Sequence, residues 1–294
     1  MFGFLNLHKP ASVTSRDVVN QVQRLLRPEK VGHAGTLDPL ATGVLVVGVG
    51  KATRLTEYVQ RMPKHYSATF LFGRQSDTED SDGQVIELAD PPRPTREQIE
   101  TTLPRFLGEI QQVPPAYSAL KVEGRRAYDL ARRGEDVQLA ARPVVIHELR
   151  IVAYAYPELR LDIVCGSGTY VRSLGRDIAR ALGTQAVMSA LVRTAIGNFR
   201  LEDACDAATL TAASLPVWLL PAIRAVDDLP KLQLTREELT RVSHGLPFAA
   251  HGPGLAIESM NGEFAATDEF GQLVAILARR EDGSLKSVVN LIAS

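Results

Sequence analysis

The residues of this chain whose types and spacing suit chemistry are a carboxylate set before a proline, two glycine motifs and a run of basic side chains. Gly48, Gly50 and Lys51 invite a phosphate-binding loop, in which backbone N–H groups cradle the phosphates of a nucleotide. That motif needs glycine at position 45 and a hydroxyl at position 52, where Leu45 and Ala52 stand instead, so the reading fails. Gly166-Ser167-Gly168 lies where a dinucleotide fingerprint would, yet Val171 replaces the third glycine and leaves a tight turn. Asp38 before Pro39, taken alone, is a turn residue or a helix cap, because Asp bonds its own backbone and Pro fixes the next φ. Lys121, Arg125, Arg126, Arg132 and Arg133 form a basic cluster suited to phosphate contacts or, equally, to a solvated helix face. Cys165 and Cys205 stand far apart without a partner at metal-ligand spacing, which fits a reducing cytosol better than a disulfide or zinc framework.

The elements that must position these residues are legible in the pattern. Thr14 or Ser15 caps a helix over 15–26, with Asp17 in its first turn. Inside the glycine-rich stretch from Gly32 to Gly50, the β-branched run 44–49 predicts a buried strand and leaves Asp38 and Pro39 in the loop before it. Alternation of Tyr66, Ala68, Phe70 and Phe72 predicts another strand, followed by a turn-rich loop from Gln75 to Gly83. Ile99, Leu103 and Phe106 form an apolar stripe on a helix starting near Arg96, and a second helix is expected over 124–133. Leu159, Leu161, Ile163 and Cys165 alternate as a strand; after the glycine turn, Val171, Leu174, Ile178 and Leu182 share one face of a helix. Prolines recur without period from Ser214 to Pro230, and strand-like runs at 264–267, 274–278 and 287–291 then predict a small β-rich domain over 228–294.

With 294 residues, 45% hydrophobic and 23% charged, the chain suits a soluble globular protein of one large and one small domain. A net charge of −1 provides no global attraction for nucleic acid, so RNA contact would rest on local basic patches. The first residues lack the basic start of a signal peptide, and no apolar stretch reaches the roughly 18 residues of a membrane span.

The segment Gly32-His33-Ala34-Gly35-Thr36-Leu37-Asp38-Pro39-Leu40-Ala41-Thr42-Gly43-Val44-Leu45, continued by Gly50-Lys51-Ala52-Thr53-Arg54-Leu55, closely resembles the signature of TruB-type pseudouridine synthases. The likeness runs in order through His8-Lys9-Pro10, Tyr66, Gly73, Asp77-Thr78 and Asp82-Gly83. It continues with Pro114-Pro115-Ala116-Tyr117-Ser118-Ala119-Leu120-Lys121, Gly168-Thr169-Tyr170-Val171-Arg172-Ser173-Leu174 and Leu191-Val192-Arg193-Thr194, and reaches Phe199.

The resemblance implies an α+β fold: a catalytic domain over 1–227 with a cleft across a mixed central sheet, and a PUA-like RNA-binding domain over 228–294. It implies isomerisation of the T-loop uridine at tRNA position 55, in which the N1–C1′ bond breaks and the turned base rejoins through C5. Nothing is oxidised and no outside group is transferred, so no cofactor or metal is expected. Asp38 is then the reacting carboxylate, as a nucleophile on carbon or as the base for the C2′ proton. Arg172 is the guanidinium that opposes the effect of its burial. Extruding the base costs a few kcal/mol. His33 is implied to stack where the base has left and Tyr66 against the flipped base, where stacking is worth about 1–3 kcal/mol. Tyr170 flanks the arginine, Leu191 forms an apolar wall, and Lys121, Arg125, Arg126, Arg132, Arg133 and Arg193 meet the RNA backbone. Lys9 reads as a structural or phosphate-facing group. The implied partner is the tRNA T-arm, with no membrane and no obligatory protein partner, for a cytoplasmic monomer that also helps tRNA to fold. A guide-dependent relative of the dyskerin kind and a non-catalytic tRNA-binding protein are the alternatives.

Overall fold

The computed structural model describes residues 1–118, 121–122, 125–126, 128, 133, 139–249 and 262–292. Alternating and β-branched segments form the strands β1 (Gly3–Lys9), β2 (Val31–His33), β3 (Thr42–Val49), β4 (Lys64–Phe72), β5 (Gly108–Gln112), β6 (Arg142–Ala155), β7 (Glu158–Cys165) and β8 (Ala186–Ile196). They build one sheet in the order β1-β3-β8-β4-β7-β6-β5, with β2 paired to β3 off that path. The β3–β8 contact is parallel, with Val192 beside Thr42 and Arg193 beside Gly43, while the other neighbours along that path run antiparallel. The loop that carries Asp38 enters β3 at this parallel junction, in the middle of the sheet. Gly43 sits there at φ +102, and a Cβ on it would lie 2.2 Å from the Arg193 carbonyl oxygen, so the junction admits only glycine.

Helix α1 (Ser15–Leu26) begins with a capping box: the Thr14 hydroxyl accepts from the Asp17 N–H, and the Asp17 carboxylate accepts from the Thr14 N–H. Its Val18, Val19 and Val22 join Leu5, Leu7, Leu45 and Val47 in one core cluster. Helices α2 (Thr56–Arg61), α3 (Arg96–Thr102) and α4 (Val171–Ala181) follow in the chain. Leu174, Ile178 and Ala179 of α4 pack with Phe70, Phe72, Leu161 and Ile163 of the sheet. The contact is close because position 175 has no side chain: a Cβ on Gly175 would meet the Phe70 ring at 2.1 Å. Gly175→Ala is expected to destabilise by about 1–2 kcal/mol, since overpacking outweighs the helix-propensity gain of about 1 kcal/mol. A urea melt measures this; an unchanged or higher midpoint would mean that α4 is free to lift from the sheet.

Beyond Pro230, the strands β9 (Lys231–Gln233), β10 (Glu263–Thr267), β11 (Leu273–Arg279) and β12 (Leu285–Asn290) form a four-stranded sheet in that order, accompanied by α5 (Arg236–Ser243). One set of its side chains, including Leu232, Val242, Phe264 and Leu277, forms a core of its own. Another, Ala265, Leu273, Ile276 and Leu291, packs with Val44, Val46, Leu55 and Val59 of the large unit. Lys51 donates to the Ile292 carbonyl at 2.7 Å, Arg54 to the Asn290 carbonyl at 2.6 Å, and the Tyr58 hydroxyl to Glu263 at 3.0 Å. The segment that leaves β3 therefore anchors the C-terminal sheet. Among the described residues no helix is long and apolar enough to cross a membrane.

One helix expectation needs correction, and so do the first residues of another. The stripe through Leu103 and Phe106 is not one α-helix: α3 ends at Thr102 and Leu103–Phe106 is a 3-10 turn, because Pro104 has no N–H for the helical ladder. Within the stretch 124–133, Arg125–Arg126 pair antiparallel with Lys121–Val122 as strands, Tyr128 is helical, and most of the remainder lies outside the described residues.

Candidate active site

The loop between β2 and β3 holds Asp38 by fixing the residues on either side of it. Leu37 is buried; its N–H donates to the Ser15 hydroxyl at 2.8 Å, and that hydroxyl donates back to the Leu37 carbonyl at 3.1 Å. The Pro39 carbonyl accepts from the Ser12 N–H at 2.9 Å, and the Ala41 N–H closes a turn onto the Asp38 carbonyl at 3.1 Å. Leu37 and Ala41 sink into the core that also contains Leu191 and Val171. With Leu37 and Ala41 buried on either side, the Asp38 carboxylate is left 36% exposed and open to an incoming reactant.

Arg172, in the first turn of α4, pairs with this carboxylate. Its Nε lies 3.1 Å from Asp38 Oδ2, and its Nη1 lies 3.3 Å from Asp80 Oδ2. Nη1 also donates to the Thr78 carbonyl at 2.7 Å and Nη2 to the Tyr117 carbonyl at 3.1 Å. A planar guanidinium held between two carbonyls and two carboxylates has little freedom left, so the charge facing Asp38 is preset. Asp80 is the buried one of the two acids, and burial above all pushes its pKa up, against the bond from the Thr78 hydroxyl and the charge of Arg172. One α4 turn further, Arg176 pairs with Glu79 and donates to the Val113 carbonyl at 2.8 Å, while Ser173 donates to Glu79 at 2.8 Å. The turn-rich loop read from Gln75 to Gly83 is thus clamped onto α4.

Arg193, on β8, does the corresponding work behind the loop. It is only 2% exposed and donates to the carbonyls of Val44 at 2.8 Å, Gly35 at 3.2 Å and Thr36 at 3.3 Å. Tyr66 stands opposite Arg193 in the β4–β8 register. Burial raises the Tyr66 pKa first of all, with Arg193 opposing and Asp38 adding to the rise, so the phenol stays protonated. His33, at the end of β2, is pushed below its ordinary value by burial and then by Arg16 and Arg193, which keeps its ring neutral at physiological pH.

Lys9 ends β1 fully buried, donating to the carbonyls of Pro10 and Val13 at 2.8 Å each and of Pro39 at 3.4 Å. Burial lowers its pKa to about 8, with Asp38 opposing and Arg193 reinforcing. As pH rises through about 8 the ammonium loses one of three donors and the Asp38 loop loses a bond. Turnover is expected to fall along an alkaline limb centred near pH 8. In Lys9→Met it should be slow throughout and lack that limb; an unaltered limb in the variant would assign it to another group. Stability moves the other way: from about 8 to 10.5 the unfolded chain holds this proton more tightly than the folded one, so raising pH relieves the burial cost.

Residues 23–171 match the TruB family pseudouridylate synthase (N terminal domain). The chain is similar to "tRNA pseudouridine synthase B" of Synechocystis sp., 45% identical over 251 residues that cover 83% of this chain and 84% of that one. The same name is carried by a Mycobacterium bovis protein, 41% identical over 286 residues, with 96% of this chain and 93% of that one covered. The chain belongs to the TruB family of pseudouridylate synthases. Among solved structures it resembles an H/ACA RNP bound to a substrate RNA containing 2′-deoxyuridine, with TM-score 0.75, 24% identity and 99% and 86% of the two chains covered. A Cbf5-Nop10-Gar1 complex gives TM-score 0.73 at 26% identity, with 100% and 84% covered. The α+β fold with a mixed sheet is accordingly that of pseudouridine synthases.

On this TruB-family frame, the structure brings Asp38, Arg172, Tyr66 and Lys9 into one electrostatic neighbourhood, with Leu191 in the apolar core beside the loop. The Tyr170 ring lies under Arg142, with the guanidinium carbon 5.1 Å from the ring centroid. Arg193 was expected at the RNA backbone; its burial and its three loop carbonyls leave it no phosphate to meet, so it is a strut of the Asp38 loop. Lys9 is likewise structural and does not face a phosphate. Arg133 is exposed, whereas the side chains of Lys121, Arg125, Arg126 and Arg132 lie outside the described residues. Sequence reasoning missed Asp80 as the second acid on Arg172; its only signal was a dense run of acids, Asp77 to Asp82, that reads as a polar turn. A cavity of about 310 Å³ lined by Gln75, Arg180 and Thr184 sits at the far end of α4 and contains none of these groups.

Proposed function

We propose that this TruB-family chain isomerises the uridine at position 55 in the T-loop of tRNA to pseudouridine, with Asp38 as the reacting carboxylate. The observation that carries the reading is the pairing at 3.1 Å of a partly exposed Asp38 with a buried Arg172 that is itself bonded to the Thr78 and Tyr117 carbonyls. The acid is accessible to a ribose, and its countercharge cannot swing away. The chemistry begins with extrusion of the base, which costs a few kcal/mol and calls for aromatic replacements. His33, neutral and flat, fills the place the base leaves, and Tyr66 lies against the flipped uracil with Leu191 as an apolar wall. Asp38 then either attacks C1′ or removes the C2′ proton; in both routes the N1–C1′ bond breaks, the base turns, C5 bonds to C1′ and the C5 proton leaves to water. Arg172 balances the carboxylate charge whenever Asp38 is ionised. Tyr170 borders the site from the glycine turn, and Lys121, Arg125, Arg126, Arg132 and Arg133 contact backbone phosphates.

Residues 1–227 are read as the catalytic domain and 228–294 as a PUA-like RNA-binding domain, the protein acting as a monomer on the T-arm. Relatives at 40–45% identity that share the name tRNA pseudouridine synthase B favour this over a guide-dependent activity. The test is carbodiimide adduct mapping of a tRNA transcript incubated with the protein alone. A single reverse-transcription stop in the T-loop, lost when that uridine is replaced by cytidine, is expected. A stop that needs an added guide RNA, or none at all, would overturn the assignment.

A further inference from the structure

We propose that Gln112 and Arg142 are positioning residues for this reaction: a two-pronged latch that sets the Gly168–Tyr170 turn and, through it, Arg172. The inference rests on the function proposed above. Gln112, at the end of β5, is 1% exposed, and its side-chain amide pairs with one backbone unit: Oε1 accepts from the Tyr170 N–H at 2.8 Å and Nε2 donates to the Tyr170 carbonyl at 3.2 Å. Arg142 stands directly across from Gln112 in the β5–β6 register. Its Nη2 donates to the Gly168 carbonyl at 2.7 Å while its guanidinium covers the Tyr170 ring.

The turn they hold needs holding. Gly168 sits at φ +85, and Tyr170 is the N-cap of α4 yet offers no side-chain cap to the helix. An uncapped helix start normally leaves its first N–H groups to water, and its orientation is then set by whatever grips the preceding backbone. Here that grip comes from Gln112 and Arg142. Two residues later the helix presents Arg172 to Asp38. The same strand end continues into the segment whose Tyr117 carbonyl receives Arg172. Gln112 therefore ties together both sides of the Arg172 environment, the helix that carries it and the loop that receives it. A displacement of about 1 Å at a reacting group costs on the order of 100-fold in rate, so a latch two residues from Arg172 has kinetic leverage without touching the uridine.

The test compares Gln112→Met, of similar volume but unable to bond Tyr170, and Arg142→Lys, which keeps charge but not the planar stack. Single-turnover tritium release from tRNA labelled at uridine C5 is measured beside tRNA affinity by filter binding. The single-turnover rate should fall about 30-fold in Gln112→Met and about 10-fold in Arg142→Lys, with affinity within about threefold of wild type. In an Arg172→Lys background the additional loss from Gln112→Met should shrink to under about threefold, since both changes act through the same guanidinium. Unchanged rates, a full additional loss in that background, or a rate that only follows the folded fraction by circular dichroism would overturn the latch. If Gln112→Met does not fold, Arg142→Lys carries the same comparison. If wild type itself released no tritium, the proposed function would fall while the latch would still be judged by deuterium exchange: faster exchange in Gln112→Met confined to residues 168–173 upholds it, and unaltered exchange there refutes it.

Discussion

Asp38→Asn is expected to lower the single-turnover rate of pseudouridine formation by about 10,000-fold or more and to leave tRNA affinity within about threefold. The amide occupies the same volume and keeps one oxygen toward Arg172, so the loop, held by Ser15, Ser12 and Arg193, should not move. What it loses is the negative charge that must attack carbon or take a proton. Rate and binding measured on the same preparation separate the two readings of the protein. A large fall in rate at constant affinity fits a reacting carboxylate. A parallel fall in both would make Asp38 a binding group, and an unaffected rate would remove it from the chemistry.

The second large effect belongs to Arg172→Met. Arg172 and Asp80 are 6% and 5% exposed, and removing one partner of so buried a pair typically costs about 3–5 kcal/mol, because the other charge stays in a poorly solvating environment. The carbonyls of Thr78 and Tyr117 lose their donor as well. Denaturant melts should show that loss, and the rate should fall at least about 1,000-fold as Asp38 loses its countercharge. Linkage supplies a sharper signature. Burial already raises the Asp80 pKa, so the folded chain binds that proton more tightly than the unfolded one, and lowering pH toward the folded value adds stability from this group. Without Arg172 the rise is larger, so the variant should be less destabilised at about pH 5 than at about pH 8. Arg172→Met combined with Asp80→Asn should recover part of the lost stability. A penalty independent of pH, unrelieved by the second change, would mean that Asp80 and Arg172 are not coupled.

The helix over 15–26 and the strands through Val44, Tyr66 and Ile163 were legible because their local pattern agrees with their environment: one face buried, the other not, or a β-branched run between glycines. Strand β8 was not, although it lies at the centre of the sheet. Residues 186–188 are buried in succession, its register shifts between Met188 and Ala190 and again between Arg193 and Ala195, and where burial alternates, over 191–195, one of the buried positions is the charged Arg193, so the apolar pattern carries no period. Strand β6 hid for the opposite reason, with most of its 14 residues partly or fully exposed. The site divides in the same way. Asp38 and Arg172 carry a motif, whereas Asp80 acquires its meaning only when the 77–83 loop folds onto α4. Arg193 shows how charge misleads: a basic residue suggests phosphate, but three carbonyls of a glycine-rich loop can use a guanidinium just as fully. Gln112 had no sequence signal, since its role lies in one backbone unit 58 positions away.

Tritium release from a tRNA transcript labelled at C5 of uridine, with wild type and Asp38→Asn run side by side, tests Asp38 as the reacting carboxylate. Forming the new bond at C5 must expel that atom, whichever route Asp38 takes. Release of one equivalent per tRNA is expected from the wild type, abolished by replacing the uridine at position 55, and none above background from Asp38→Asn. Intact tRNA binding without release by the wild type, or release that survives in Asp38→Asn, would contradict that role.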